Sequence, residues 1–178
     1  MRTDRLQREF GIEVRWSVFP LHPETPEEGV ELSELFAGRD LDIRAMQERL
    51  LQVAAREGLP FSTRTRTYNS RRAQELGKWA EARGRGNSFH QAVYRAYFVE
   101  GRNIALIDQL LQLVEASDLP VQEAQDVLIS RSYAAAVDAD WQRSRQLRIS
   151  AVPTHLCDGR KLAGFSSYEG FVRLIGQG

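Results

Sequence analysis

The chain has 178 residues, with 24 basic and 24 acidic side chains and therefore no formal net charge. This balance argues against nucleic acid or an anionic membrane surface as a dominant partner. Apolar residues make up 42% of the chain and charged residues 27%, which is typical of one soluble globular domain. No run approaches the ~18 apolar residues of a membrane span, and no secretory signal opens the sequence, so we expect a cytoplasmic protein.

The N-terminal part predicts a helix followed by a strand. Residues 5–10 are helix-like, and Gly11 ends them. Apolar and polar residues then alternate over 12–18, which indicates a strand with one apolar face. Prolines at positions 20, 23 and 26 stop this strand, and 27–36 predict a loop or a short helical turn.

Helical periodicity dominates the middle of the chain and predicts six helices between residues 40 and 147. Asp40 or Asp42 caps the first, which Gly58 and Pro60 end. An extended segment follows at 61–68, where threonines disfavour helix. The remaining helices are predicted to begin at Ser70, at Asn87 or Ser88, at Asn103, at Pro120, and at Ser130 or Ser132.

The C-terminal part predicts a hairpin and a last helix. Pro153 suits the first residue of a strand, because proline cannot donate to a sheet ladder. Asp158-Gly159 is a strong hairpin signal, since both central residues of a type I′ turn need positive φ. Ser166 or Ser167 then caps a helix with apolar residues on one stripe.

Four segments in series resemble the DsbA-like thioredoxin-domain family, in particular its cytoplasmic FrnE-type branch. They are residues 13–23, 68–73, 96–104 and 149–154. Relatives of this family include 2-hydroxychromene-2-carboxylate isomerases and kappa-class glutathione transferases. The resemblance implies an α/β thioredoxin-like fold in one domain, 1–178. Residues 12–38 and 149–178 would form the thioredoxin part, and 39–148 a helical insertion.

The sequence departs from the family pattern at its N-terminus. Family members begin with a strand that leads into a Cys-x-x-Cys pair, whereas residues 2–10 here match the tail of the first helix. We therefore expect a truncated fold that lacks the first strand. Cys157 is the only cysteine, so we predict no catalytic residue and no dithiol cycle in this chain. A structural cysteine is the interpretation of Cys157, because no cation or helix N-terminus is predicted beside it.

The resemblance places a substrate loop at Val152, Pro153 and Thr154. In the family the bond before this proline is cis, and the loop pairs with an extended peptide or with a glutathione-like thiol. Asn69 lies in a segment that faces the active-site cleft of relatives, and a helix cap is its competing interpretation. His22, His90 and His155 are not at ligand spacing, so we predict no metal and no cofactor.

Three functions stay open at this point. The first is a thiol-disulfide oxidoreductase by descent, redox-inactive as the chain stands. The second is a glutathione-dependent isomerase or transferase relative. The third is a non-catalytic binding or assembly protein, in which unpaired strand edges lead to a homodimer, to a swapped strand, or to direct pairing of residues 13–18 with the hairpin.

Arginines make the middle of the chain locally basic. We interpret them as solvated helix faces, and an anion site is the alternative because guanidinium pairs bidentately with carboxylate. The arginines concerned are Arg64, Arg66, Arg71, Arg72, Arg83 and Arg85.

Overall fold

A computed structural model describes residues 2–176, with side chains from Arg5 onwards. Contacts divide the chain into two compact units. Residues 22–137 form one, which we call the helical unit. The residues up to Leu21 join those from Asp138 onwards in the other, which we call the hairpin unit. Within the described residues, no helix combines the length and the apolar character needed to cross a bilayer.

The described elements are mostly helices, and the strands are short. In chain order they are α1 (Arg2–Phe10), β1 (Val30–Glu31), α2 (Leu32–Leu35), α3 (Ile43–Arg56), β2 (Arg66–Thr67), α4 (Arg71–Ala82), α5 (Gly86–Phe98), α6 (Ile107–Glu115), α7 (Val121–Ser130), α8 (Ala134–Gln146), β3 (Thr154–Cys157), β4 (Arg160–Ala163) and α9 (Tyr168–Leu174). Helix α8 starts in the helical unit and continues into the hairpin unit.

Most helices form where their local signals predict them. The Asp42 carboxylate caps α3 by accepting a hydrogen bond of 3.0 Å from the Ala45 N–H. Helix α6 begins later than predicted, because Asn103 caps a preceding turn through the Ala105 N–H at 2.9 Å. Helix α8 also begins later, since Ser130 is the last residue of α7 and its hydroxyl donates to the Asp126 carbonyl.

The helical unit has an apolar core built from four of its helices. Leu76 and Trp79 of α4, Phe89 of α5 and Leu110 of α6 are at most 1% exposed. The core also holds Ala124 and Leu128 from α7. Burying one such side chain contributes roughly 1.5–3 kcal/mol, so these helices provide a stable framework.

The helical unit also contains a short β-ladder of two residue pairs. Strands β1 and β2 are antiparallel, with Val30 opposite Thr67 and Glu31 opposite Arg66. The Arg66 Nε lies 2.9 Å from the Glu31 carboxylate, which adds an ion pair across the ladder. The extended segment predicted at 61–68 therefore enters a sheet only at its end.

The hairpin unit is organised around β3 and β4. They pair antiparallel from Thr154 opposite Ala163 to Cys157 opposite Arg160. Asp158 (φ 47°) and Gly159 (φ 80°) make the turn, as the sequence predicts. Ser167 caps α9 by accepting from the Gly170 N–H at 3.3 Å.

The strand predicted at 12–18 is not formed. The burial follows the period-two pattern only over 12–15, where Ile12 and Val14 are half-buried, whereas Trp16 of the predicted apolar face is 44% exposed. No segment within residues 2–176 pairs with this stretch, so there is no ladder to define a strand. The Val18 N–H instead donates to the Asp140 carboxylate at 3.0 Å. The predicted strand, and with it any direct pairing of residues 13–18 with the hairpin, is therefore wrong for the described residues.

Candidate functional site

The predicted substrate loop, Val152 to Thr154, leads directly into β3. The Val152–Pro153 peptide bond is cis. The Pro153 carbonyl accepts a hydrogen bond of 2.7 Å from the Gly164 N–H, just beyond β4. The Thr154 hydroxyl donates to the Ala151 carbonyl, also at 2.7 Å. Both bonds use polar groups at the ends of the loop and hold it at the open end of the hairpin.

Val152, between these two anchors, keeps its backbone available. Its side chain is 44% exposed. Neither its N–H nor its carbonyl has a hydrogen-bond partner in the part of the chain that the structure describes. An exposed backbone donor and acceptor without partners are the groups that an added strand uses.

The two faces of the hairpin have different surroundings. His155 and its partner Leu162 lie on the face covered by α9, where the His155 ring meets Phe171 edge-on at a centroid distance of 4.6 Å. On the other face Leu156 is 39% exposed and lies opposite Lys161. The exposed face thus continues from the Val152 loop along β3.

His155 is held without a hydrogen bond on its Nδ1 atom, which is buried. Burial lowers the pKa of His155, although the Leu162 backbone works in the opposite direction. At neutral pH the uncharged ring therefore serves to pack against Phe171. Protonation of the ring at lower pH is a source of pH sensitivity.

Cys157 lies at the far end of β3 from the loop. Its thiol is half-buried, and the Sγ atom lies 3.7 Å from a carboxylate oxygen of Asp158. A carboxylate does not supply the positive surroundings that reactive cysteines need. The structural role of Cys157 stays a prediction.

Asn69, the fourth predicted site residue, lies in the helical unit, whereas the proline loop lies in the hairpin unit. Its Oδ1 accepts from the Arg71 N–H at 2.8 Å, at the start of α4. Its Nδ2 donates to the carbonyls of Pro23 and Thr25, at 3.2 and 2.7 Å. The capping role is therefore what its contacts show, while Ser70 makes no capping hydrogen bond of its own.

A buried carboxylate follows in α4, which sequence reasoning missed. Glu75 is fully buried and accepts two hydrogen bonds from Arg131, at 2.6 and 2.7 Å, and one of 2.6 Å from Arg71. Burial raises the pKa of Glu75, but the bonds from Arg131 and Arg71 outweigh it and bring the pKa below its usual value. The Arg71–Glu75 spacing of four residues was a visible signal, whereas Arg131 lies 56 residues away.

A family model described as the DSBA-like thioredoxin domain matches residues 1–176. The chain belongs to the DsbA-like thioredoxin-domain family. This confirms the family and the thioredoxin-like fold that the four sequence segments predict. A search of curated proteins found no match.

Solved structures agree with this DsbA-like assignment. A probable DsbA oxidoreductase from Streptomyces coelicolor matches with a TM-score of 0.88 and 26% identity, over 99% of this chain and 81% of that one. A 2-hydroxychromene-2-carboxylate isomerase matches with a TM-score of 0.68 and 18% identity, over 97% of this chain and 83% of that one. At that identity the isomerase supports the fold alone.

The histidines of this DsbA-like domain each have different neighbours. The His22 ring meets the Phe36 ring edge-on, with a centroid distance of 6.2 Å. His90 lies 3.2 Å from the Glu81 carboxylate, inside the helical unit. Within residues 2–176 no group of three or more histidine, cysteine or acidic side chains is arranged to hold a metal ion.

Proposed function

We propose that this domain is a FrnE-type member of the DsbA-like family that binds extended, thiol-bearing peptides at the Val152–Thr154 loop. The exposed and unpaired backbone of Val152 supports this most directly, because strand addition requires such a donor and acceptor. The 26% identity to a probable DsbA oxidoreductase supports the same class of substrate. Asn69 would contribute by fixing the start of α4 rather than by contacting peptide.

Redox turnover is a separate part of the proposal. A dithiol cycle needs an attacking thiolate and a resolving cysteine, and these 178 residues contain Cys157 alone. We therefore propose that the 178-residue chain binds its thiol peptide without oxidising or reducing it. No turnover in an insulin-reduction assay is the expected result, and measurable turnover would contradict it.

Peptide binding is best tested with matched peptides. We would titrate the ¹⁵N-labelled chain with an extended peptide carrying one central cysteine, and with the same peptide N-methylated at the residue beside that cysteine. Binding through the Val152 carbonyl requires the peptide N–H, so N-methylation is expected to weaken affinity about tenfold. Shifts should centre on residues 151–156.

Two further ligands separate the alternatives. A peptide with serine in place of cysteine tests whether the thiol contributes, and glutathione tests the transferase-like alternative. Glutathione binding at residues 151–156 with no peptide binding would replace the proposed peptide ligand by a small thiol. Equal affinity of the two matched peptides would show that the backbone of Val152 is not the docking group.

A further inference from the structure

The helical unit contains a cavity of about 360 Å³ with a mixed lining. Two tyrosine rings, Tyr68 and Tyr97, meet there edge-to-face at a centroid distance of 6.5 Å. The rest of its wall comes from one residue of α3, from residues 63–66 and from Gly101, which follows α5. The lining residues are Gln47, Thr63, Arg64, Thr65, Arg66, Tyr68, Tyr97 and Gly101. Ligand pockets for small molecules usually measure ~300–1,000 Å³, so this cavity is large enough for one.

Arg64 is the cation of this cavity that lacks a counter-charge. Among the side chains described, from residue 5 to 176, no carboxylate lies within ion-pair distance of its guanidinium, and its buried Nε has no hydrogen-bond partner. A half-buried charge in this state is unfavourable, because it has lost water without gaining an acceptor. An anion bound in the cavity would give the guanidinium the counter-charge that it lacks.

Aromatic rings hold this guanidinium in place. Its central carbon lies 4.8 Å from the centre of the Tyr97 ring and 5.0 Å from that of Phe98. The backbone N–H of Arg64 also donates to the Gln47 amide oxygen at 2.9 Å. Cation–π contacts of this kind restrict where the guanidinium can lie without using its N–H donors.

The other charged residue of the cavity lining, Arg66, is already paired. It forms an ion pair with Glu31, with 2.9 Å between Nε and a carboxylate oxygen. The uncharged Tyr97 also has a partner, since its hydroxyl shares a hydrogen bond of 2.8 Å with the Thr67 hydroxyl. The cavity therefore carries one uncompensated positive charge, which suits a monoanion better than a phosphate dianion.

We propose that this cavity is a binding site for a small organic carboxylate with an aromatic or apolar body. The carboxylate would pair with the Arg64 guanidinium, and the body would lie against the rings of Tyr68 and Tyr97. All the residues involved belong to the helical unit, so this site is independent of the peptide loop.

Benzoate is the probe, and benzamide is its uncharged counterpart of the same shape. We would titrate each into the ¹⁵N-labelled full chain and follow amide shifts. Benzoate is expected to bind saturably with shifts centred on residues 63–68 and 97–101, and benzamide to bind at least about tenfold more weakly. Failure of this experiment leaves the peptide titration unaffected, because the two report on different residues.

Three variants assign the effect to Arg64. Arg64→Gln is expected to weaken benzoate binding roughly 10- to 100-fold, since it removes the charged donor. Arg64→Lys should be intermediate, because lysine keeps the charge but loses the planar fork. Arg44→Gln, an exposed change of the same charge on α3, should bind benzoate like the wild type.

Circular dichroism and the melting temperature check that each variant is folded. If Arg64→Gln does not fold, the comparison of wild type with Arg64→Lys and of benzoate with benzamide tests the proposal instead. No saturable benzoate binding up to about 10 mM, a level where a useful site should be filled, would overturn the proposal. Equal binding by Arg64→Gln and the wild type would overturn it as well.

Discussion

The helical unit has a large core of fully buried side chains, whereas the hairpin unit buries few large apolar side chains, and both units also expose some. Trp79 and Phe89 are at most 1% exposed, while Val152 and Leu156 of the hairpin unit are 44% and 39% exposed. The hairpin unit also leaves backbone groups without partners at Val152. We therefore expect buried contacts to set the stability of the helical unit, and the proposed peptide recognition to depend on the exposed groups at Val152.

The largest expected effect comes from opening the helical core. Phe89→Ala should lower the free energy of unfolding by about 3–5 kcal/mol, because it removes a fully buried ring from a packed core. Val152→Ala in the hairpin unit should change it by less than about 0.5 kcal/mol. Urea denaturation followed by circular dichroism measures both. Similar losses in the two variants would contradict the contrast between the units.

Glu75→Gln should have the next largest effect and lower the free energy of unfolding by an amount near the lower end of about 3–5 kcal/mol. Arg71 and Arg131 lose their buried partner but keep some contact with solvent. Glu123→Gln, at an exposed ion pair with Arg83, is the control and should stay within about 1 kcal/mol.

The same carboxylate predicts an acid dependence. The pKa of Glu75 is lower in the folded state than its usual value of 4.5, so its stabilisation is complete above that value. It is lost as pH falls through the folded pKa. The difference in stability between wild type and Glu75→Gln should therefore shrink below pH 4.5, as measured by urea midpoints. A constant difference would show that the charge of Glu75 does not carry the effect.

Gly159→Ala should destabilise the hairpin by about 1–2 kcal/mol, because its φ of 80° disfavours any residue with a Cβ. Asp158→Asn at the neighbouring position should be tolerated, since asparagine adopts positive φ readily. Amide exchange of β3 and β4 is the most direct measurement. Unchanged protection in Gly159→Ala would contradict the turn assignment.

The smallest effect is expected at His155. Burial lowers its folded pKa below the usual 6.5, so the unfolded chain binds a proton first, and stability falls as pH drops from 6.5 towards the folded value. His155→Leu should remove this share of the pH dependence and change stability at pH 8 by less than about 1 kcal/mol. Urea midpoints between pH 5 and 8 test it. Parallel curves for both proteins would count against the buried histidine.

The family, the helices and the hairpin could be predicted from the sequence, because each depends on neighbours only a few residues apart. Asp42 and Ser167 cap their helices, and Asp158-Gly159 turns the hairpin, as their local patterns indicate. The strand predicted at 12–18 does not form, because alternation of apolar and polar residues is not enough and a strand also requires a partner from elsewhere in the chain.

Sequence alone thus determined where the chain forms helices and turns, and that a proline precedes β3. Only the tertiary structure decided which charges meet, because Arg131 reaches Glu75 across 56 residues and Arg64 reaches no carboxylate at all within the described chain. The physical reason is that caps and turns are stabilised by short-range hydrogen bonds, whereas charge pairing and cavities depend on how distant helices pack.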